Sequence, residues 1–238
     1  MIRIEKEQLV KWKHFQHEII LLTVRWYLRY NLSFRNLVEM MEERCLEMSH
    51  TTTMRWVHQY GLELDTRIRP HLEETNDSWR VDETYIKVKG QWMYLYRAVD
   101  SEGSTIEFHL SKTRDKQAAT DFFKKALGAN HVSVPRVITV NRNPAYPIAI
   151  EQLKKEKSIP EGMQIRQLKY LNNIIEQDPR FIKKRVRSML GFKTFQTAQW
   201  IICGVEVIHM LKKEQISQRE KSVQNEIAFI HQLFGIVV

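Results

Sequence analysis

Three side chains carry oxygen ligands at positions from which they could be gathered around one cation. Asp82 lies in the middle of Trp79-Arg80-Val81-Asp82-Glu83-Thr84-Tyr85-Ile86-Lys87-Val88, a run that reads as a strand, with Val81, Thr84 and Ile86 around it. A carboxylate at a half-buried strand position costs free energy unless something cationic neutralises it. Asn141 follows directly on the apolar run Val137-Ile138-Thr139-Val140, at the carboxyl end of a buried strand, where ligands gather in open mixed sheets. Glu176 stands near the start of a long helix expected from about Leu171. A strand centre, a strand end and a helix can bring the three to one point and bind Mg2+. Taken singly, each acid reads as a solvated or salt-bridged surface group.

Two further constellations suit an anion. Ser33 and Ser49 are N-cap candidates for two short helices separated by a break at Cys45-Leu46-Glu47-Met48, and the second helix, Thr51 to Tyr60, is expected to close at Gly61. This is a helix-turn-helix pattern. Thr51, Thr52 and Thr53 at the helix start can meet phosphate oxygens or base edges, while Arg55 and Gln59 reach deeper. A small helical bundle without a ligand fits the same periodicity. Further along, Glu176, Arg180, Lys183, Lys184 and Arg187 run beside an apolar stripe of Ile175, Ile182, Val186 and Met189. A basic face is by default a solvated one, but next to a metal-binding acid it is placed to hold DNA phosphates without sequence preference.

Composition agrees. The 238 residues include 37 Lys plus Arg against 28 Asp plus Glu, a net charge of +9, which favours a polyanionic partner. Cys45 and Cys203 are the two cysteines and have no metal-ligand spacing, which excludes a disulfide scaffold or a zinc finger and fits a reducing, cytoplasmic setting. No apolar run of signal-peptide or membrane-span length is present, so no membrane association is expected. His109, His131 and His209 form no ligand spacing and read as structural.

The elements that must position these residues can be read from the period. Helices fill the first 65 residues. Strands follow at 79–88, 92–99 and 105–110, joined by turns at Lys89-Gly90-Gln91 and Asp100-Ser101-Glu102-Gly103. Trp92, Tyr94 and Tyr96 alternate and predict an aromatic core face. Asp115 caps a helix to about Leu127, then come the strand at 136–140, a helix from Pro144 to Lys157, a strand at 164–168 and the long helix. Three strands, helix, strand, helix, strand, helix imply an α/β fold: a ribonuclease-H-like mixed sheet with helices on its faces, preceded by an all-α domain. The expected boundaries are 1–65 for the helix-turn-helix domain, 66–78 for a linker, 79–213 for the catalytic domain and 214–238 for a helical tail containing an amphipathic segment, Val223 to Phe234.

WYLRYNLSFRNLVEMMEER, WRVDETYIKVKGQWMYLYRAVD, SKTRDKQAA, VITVNRNPAYP, KYLNNIIEQDPRFIKKR and SMLGFKTFQTA, in this order, closely resemble bacterial transposases of the insertion-sequence-six family. The resemblance implies an N-terminal helix-turn-helix, an integrase-type catalytic core with an Asp-Asp-Glu triad, and Mg2+ (with Mn2+ as substitute). It also implies double-stranded DNA as partner, both terminal inverted repeats and target, and a homodimer or larger assembly on it. The implied activity is DNA cleavage and strand transfer, in a bacterial cytoplasm at the nucleoid. The triad maps to Asp82, position 141 and Glu176; 34 residues separate the last two, as in the family.

Two residues depart from the family pattern. Position 141 is Asn where relatives read Asp. In the two-metal mechanism, ions about 4 Å apart clamp the attacking and leaving oxygens of an in-line transfer. Asn supplies one carbonyl oxygen but no charge, and it presents an amide donor where a metal needs an acceptor. A loss of metal affinity and of rate by several orders of magnitude is expected. Pro179 replaces the family's His after Glu-Gln-Asp. Inside a helix it would cost roughly 3 kcal/mol; at the first position of a helix capped by Asp178 it would be tolerated. The expectation is an impaired transposase, with a catalytically inactive DNA-binding protein that occupies transposon ends as the alternative.

Overall fold

Residues 15–168, 180–189, 191–216 and 222–236 are described in the computed structural model of the chain. They form two compact units. One takes in the residues up to Ile68, Trp200–Glu214 and those from 222 onward; the other takes in Arg69–Gln199 with Gln215 and Ile216.

The first unit is all helical. Helix α1 (His17–Arg29) buries Ile20, Leu21, Val24, Tyr27 and Leu28 at the expected helical spacing. Helix α2 (Phe34–Glu42) opens on Ser33, whose hydroxyl accepts from the Asn36 amide at 3.1 Å while the Asn36 side chain accepts from the Ser33 amide at 2.8 Å, a reciprocal cap. Helix α3 (His50–Ile68) opens on Ser49, which accepts from the Thr52 amide at 3.1 Å.

The expected end of α3 at Gly61 is corrected by a tertiary contact. The helix runs through Gly61 to Ile68. Gly61 sits against Gly204 of a later helix (Phe195–Lys212), and a Cβ at Gly204 would lie 2.8 Å from both Leu28 methyls and 3.1 Å from the Gly61 Cα. Close approach of two helix backbones, rather than a left-handed cap, is what requires glycine here. The amphipathic segment near the C-terminus is the helix Val223–Leu233, capped by Ser222. Its buried Glu226 accepts from Arg25 at 3.2 Å and from Arg29, tying this helix to α1. A buried carboxylate is tolerable because both guanidiniums neutralise it.

The second unit is built on a five-stranded sheet in the order β3-β2-β1-β4-β5. Strands β1 (Ser78–Val88), β2 (Gln91–Asp100) and β3 (Thr105–Ser111) form an antiparallel meander, and β4 (Val137–Val140) and β5 (Gln164–Gln167) continue it in parallel beside β1. This mixed sheet with crossover helices is the ribonuclease-H-like arrangement. Lys89 (φ 48°) and Gly90 (φ 81°) make the two-residue hairpin between β1 and β2, whose tightness demands positive φ at both positions. Helices α4 (Lys116–Leu127, capped by Asp115) and α5 (Ala145–Lys155) cover the sheet face bearing Trp79, Val81, Tyr96 and Ala98. Completing the chain order are α6 (Arg180–Ser188), α7 (Phe195–Lys212) and α8 (Val223–Leu233).

The expected linker is structured. Ile68, Leu72 and Thr75 are buried, and Arg69 pairs with buried Glu107 at 2.8 and 3.2 Å, which Lys125 also reaches at 3.1 Å. Burial raises the Glu107 carboxyl's proton affinity, but Lys125 and Arg69 more than offset it and hold the group below the ordinary carboxylate range. The Gln215 side chain clamps Thr105 through both its oxygen (2.9 Å) and its nitrogen (3.1 Å). The expected 79–213 domain therefore differs from the contacts at both ends: Arg69 onward and Gln215 join the sheet, whereas Trp200–Glu214 packs with the N-terminal helices.

None of the described helices is long and apolar enough to cross a membrane. Substituting Gly204→Val should lower stability by about 1–3 kcal/mol, because Leu28 can move but the Gly61 backbone cannot. Gly162→Ala, with nothing within 4 Å of the added methyl, should stay within about 0.5 kcal/mol. Thermal unfolding of both variants checks the difference.

Candidate functional site

Register brings the first two expected ligands together. Val81 pairs with Val140 in the parallel β1–β4 ladder, so Asp82 and Asn141 follow as the next residues on adjacent strands. The Asn141 Nδ2 donates to Asp82 Oδ1 at 3.1 Å and to Glu83 Oε2 at 3.1 Å. Its Oδ1 accepts from the Asn143 amide at 2.9 Å. That turn fixes the side-chain orientation: with the oxygen engaged locally, the NH2 end faces the carboxylates, where it is also electrostatically favoured.

Glu83 is the residue that sequence reasoning overlooked. Strand alternation puts it on the same face as Trp79 and Val81, and its side chain is 1% exposed. Four side chains supply donors to it. Arg114 Nε lies at 2.6 Å and its Nη2 donates as well; Tyr146 Oη donates to Oε2; Asn143 Nδ2 lies at 3.3 Å from Oε1; and Asn141 completes the set. Burial, then the charge and hydrogen bond of Glu83, push the Tyr146 phenol well above its ordinary value, so it stays protonated and donating. Burial disfavours the charged form of Arg114, but the Glu83 carboxylate outweighs this and raises its pKa. The signal was present in the sequence: an acid at a core-facing strand position must find donors.

A divalent cation needs oxygen acceptors aimed at it. At position 141 two N–H bonds point toward Asp82 and Glu83, and the single oxygen is turned away to Asn143. The pair Asp82–Asn141 therefore does not fit a metal held by carboxylates. Among the described residues no three His, Cys, Asp or Glu side chains form a metal-binding group. Glu176 and Pro179 lie outside the described residues.

The expected nucleic-acid contacts divide. On α3, Arg55 and Gln59 are exposed, and Thr51 and Thr52 are half-buried on the same turn. Thr53 is corrected: it is fully buried, with its hydroxyl 3.3 Å from the Ser49 carbonyl oxygen, because position 53 falls on the core stripe with Trp56, Val57 and Tyr60. On α6, Arg180, Lys183, Lys184 and Arg187 are all exposed, while Ile182 and Arg185 are buried. His131 is structural as expected, buried with Nε2 at 3.2 Å from the Ile106 carbonyl oxygen. The aromatic core face is corrected in part. Tyr96 is fully buried, Tyr94 half-buried and Trp92 57% exposed, since α4 and α5 cover the sheet only as far as the Glu83–Tyr96 pair.

Glu83→Ala should cost about 3–5 kcal/mol, because it strands the donors of Tyr146 and Asn141 and leaves Arg114 unpaired. Asp82→Ala, at a half-buried position, should cost less than half as much. Urea unfolding of the two variants measures the contrast, and equal losses would refute the assignment of Glu83 as the hub.

Comparison with known proteins gives four matches. A family model described as a DDE domain, of the IS240 transposase type, matches residues 76–215. The transposase for insertion sequence-like element IS431mec of Staphylococcus aureus is 35% identical over 204 residues, covering 86% of this chain and 88% of that protein. The transposase of insertion sequence element IS257 in transposon Tn4003, also from Staphylococcus aureus, matches with the same identity and coverage. Among solved structures, the HTLV-2 integrase catalytic core domain in complex with magnesium aligns with a TM-score of 0.42 and 16% identity, over 56% of this chain and 84% of that one.

Proposed function

This chain belongs to the insertion-sequence-six family of DDE transposases, and from that premise we propose that it binds the ends of an insertion sequence while its cutting and joining step is impaired. A DDE transposase acts on DNA through phosphoryl transfer, and divalent cations, where the triad positions hold them, would supply nucleophile activation and charge stabilisation. The observation that carries the impairment is the Asn141 amide, which donates to both Asp82 and Glu83. Occupation of those carboxylates by N–H donors satisfies the cluster without a cation. Asn at position 141 also lacks the negative charge that a carboxylate there would set against the repulsion between two ions.

Binding rests on other residues. Thr51, Thr52, Arg55 and Gln59 on α3 are proposed to meet the terminal inverted repeats, with Arg55 and Gln59 able to reach base edges. Arg180, Lys183, Lys184 and Arg187 on α6 are proposed to hold phosphates of either end or target DNA. Handling two element ends together calls for a dimer or larger assembly on DNA. The second reading, occupancy of transposon ends without any catalysis, is favoured by the same Asn141 geometry and would let the protein compete with an intact relative.

A strand-transfer assay separates the two readings. The native chain is expected to show little or no Mg2+-dependent joining, and Asn141→Asp to raise it by at least a hundredfold and to add a Mg2+-dependent rise in Tm. Joining by the native chain equal to that of the variant would overturn the impairment; no gain in either readout would favour occupancy alone, with Asp82 and Glu176 unable to form a centre. For binding, Lys183→Ala with Lys184→Ala should weaken DNA affinity uniformly across sequences. It should also reduce the slope of log affinity against log salt by about 2, as read from anisotropy titrations.

A further inference from the structure

The turn end of the β1–β2 hairpin carries a ladder of aromatic rings and cations on the face that holds Glu83. Cross-strand register sets three rungs: Glu83 with Tyr96, then Tyr85 with Tyr94, then Lys87 with Trp92. The first rung is core. The outer two are open, with Tyr85 43% and Trp92 57% exposed. Tyr85 meets Tyr94 edge-on at 5.4 Å and Trp92 at 6.4 Å between centroids, so the three rings hold one another in place. Lys87 Nζ lies 5.5 Å from the Trp92 ring centre, and Arg114 Cζ lies 5.8 Å from that of Tyr85. Arg114 is the same guanidinium that binds Glu83, so the ladder begins one rung from the Asp82–Asn141 cluster, roughly 7 Å along the strand.

We propose that this ladder is a stacking platform for unpaired nucleotides at a DNA end, with Trp92 and Tyr85 receiving bases and Lys87 and Arg114 facing the phosphates. The proposal rests on the DNA-end reading above and names a subsite within it. Charge complementarity selects the occupant. The charges against the open rings, Lys87 and Arg114, are both cationic; of the nearby acids, Glu83 is buried and engaged by its donors, and exposed Asp115 is turned to the α4 amides as their cap. A polyanion with flat, apolar bases satisfies both features at once. Bases inside a duplex keep their faces stacked on one another, so only unpaired ones can present a face to these rings. Stacking of this kind is indifferent to sequence, whereas the α3 contacts are suited to reading it.

The test compares three fluorescently labelled DNAs by anisotropy: a blunt duplex, the same duplex with several unpaired nucleotides at one end, and oligothymidylate. The native chain is expected to prefer the frayed duplex over the blunt one. Trp92→Ala and Tyr85→Ala should each lower affinity for the frayed duplex and oligothymidylate about tenfold, the scale of losing one stacked base, and Trp92→Phe should recover most of it. Circular dichroism and blunt-duplex binding check that the variants are folded. Unchanged affinities for the frayed duplex in both alanine variants would overturn the platform while leaving the DNA reading intact. A change in self-association on Trp92→Ala, with no change in DNA binding, would likewise overturn it in favour of a contact between copies. Failure of the native chain to bind any of the three DNAs would overturn the DNA reading itself, and this proposal with it.

Discussion

The carboxylate of Glu83 is the interaction on which the second unit's functional end depends. It is buried on the core face of the central strand, and it survives there because α4 and α5 arrive with donors at that point. Arg114 immediately precedes the Asp115 cap of α4, and Asn143 and Tyr146 lie at the start of α5. One buried charge thus fixes where two helices begin over the sheet. It also fixes what is left uncovered beyond them, because the sheet face past the Glu83–Tyr96 pair is open.

The same charge explains why Asn141 is comfortable. An Asp at 141 would place a third carboxylate against Asp82 and Glu83, a like-charge cluster with Arg114 alone among the Glu83 donors carrying positive charge. Such a cluster is relieved by a cation, or by a proton held on one of its carboxyls. Asn replaces that relief with two hydrogen bonds, and the site becomes complete as it stands. On the proposed reading, a residue change that looks minimal in shape would convert a site that needs metal into one that resists it. The DNA contacts proposed on α3 and α6 do not include position 141, so the proposed loss of the chemistry would leave them in place.

Much of this fold was legible because its signals are local. The meander follows from period-two alternation and turn chemistry, and Ser33, Ser49 and Asp115 announce their helices through caps that need only the next three residues. What was not legible depends on distant partners. Gly61 looks like a helix stop until Gly204, far along the chain, comes against it. The charged stretch before β1 looks like a linker until Glu107 receives Arg69 and the Gln215 carbonyl receives the Glu73 amide. At the site, Asp82 and Asn141 were recognisable from strand position and motif. Glu83 was missed although its parity with Trp79 and Val81 demanded burial, and Trp92 was assigned to the core because alternation gives the face of a strand but not how far the covering helices reach.

The central claim is that the Asn141 amide occupies the place a cation would take. Selective 15N labelling of asparagine side chains, with Mn2+ added stepwise as a paramagnetic probe, tests it directly. The account predicts that the Asn141 NH2 resonances stay sharp at stoichiometric Mn2+, and that those of Asn143 do too. Selective broadening of both at one equivalent of Mn2+ would contradict it, placing the ion within the cluster in spite of the amide.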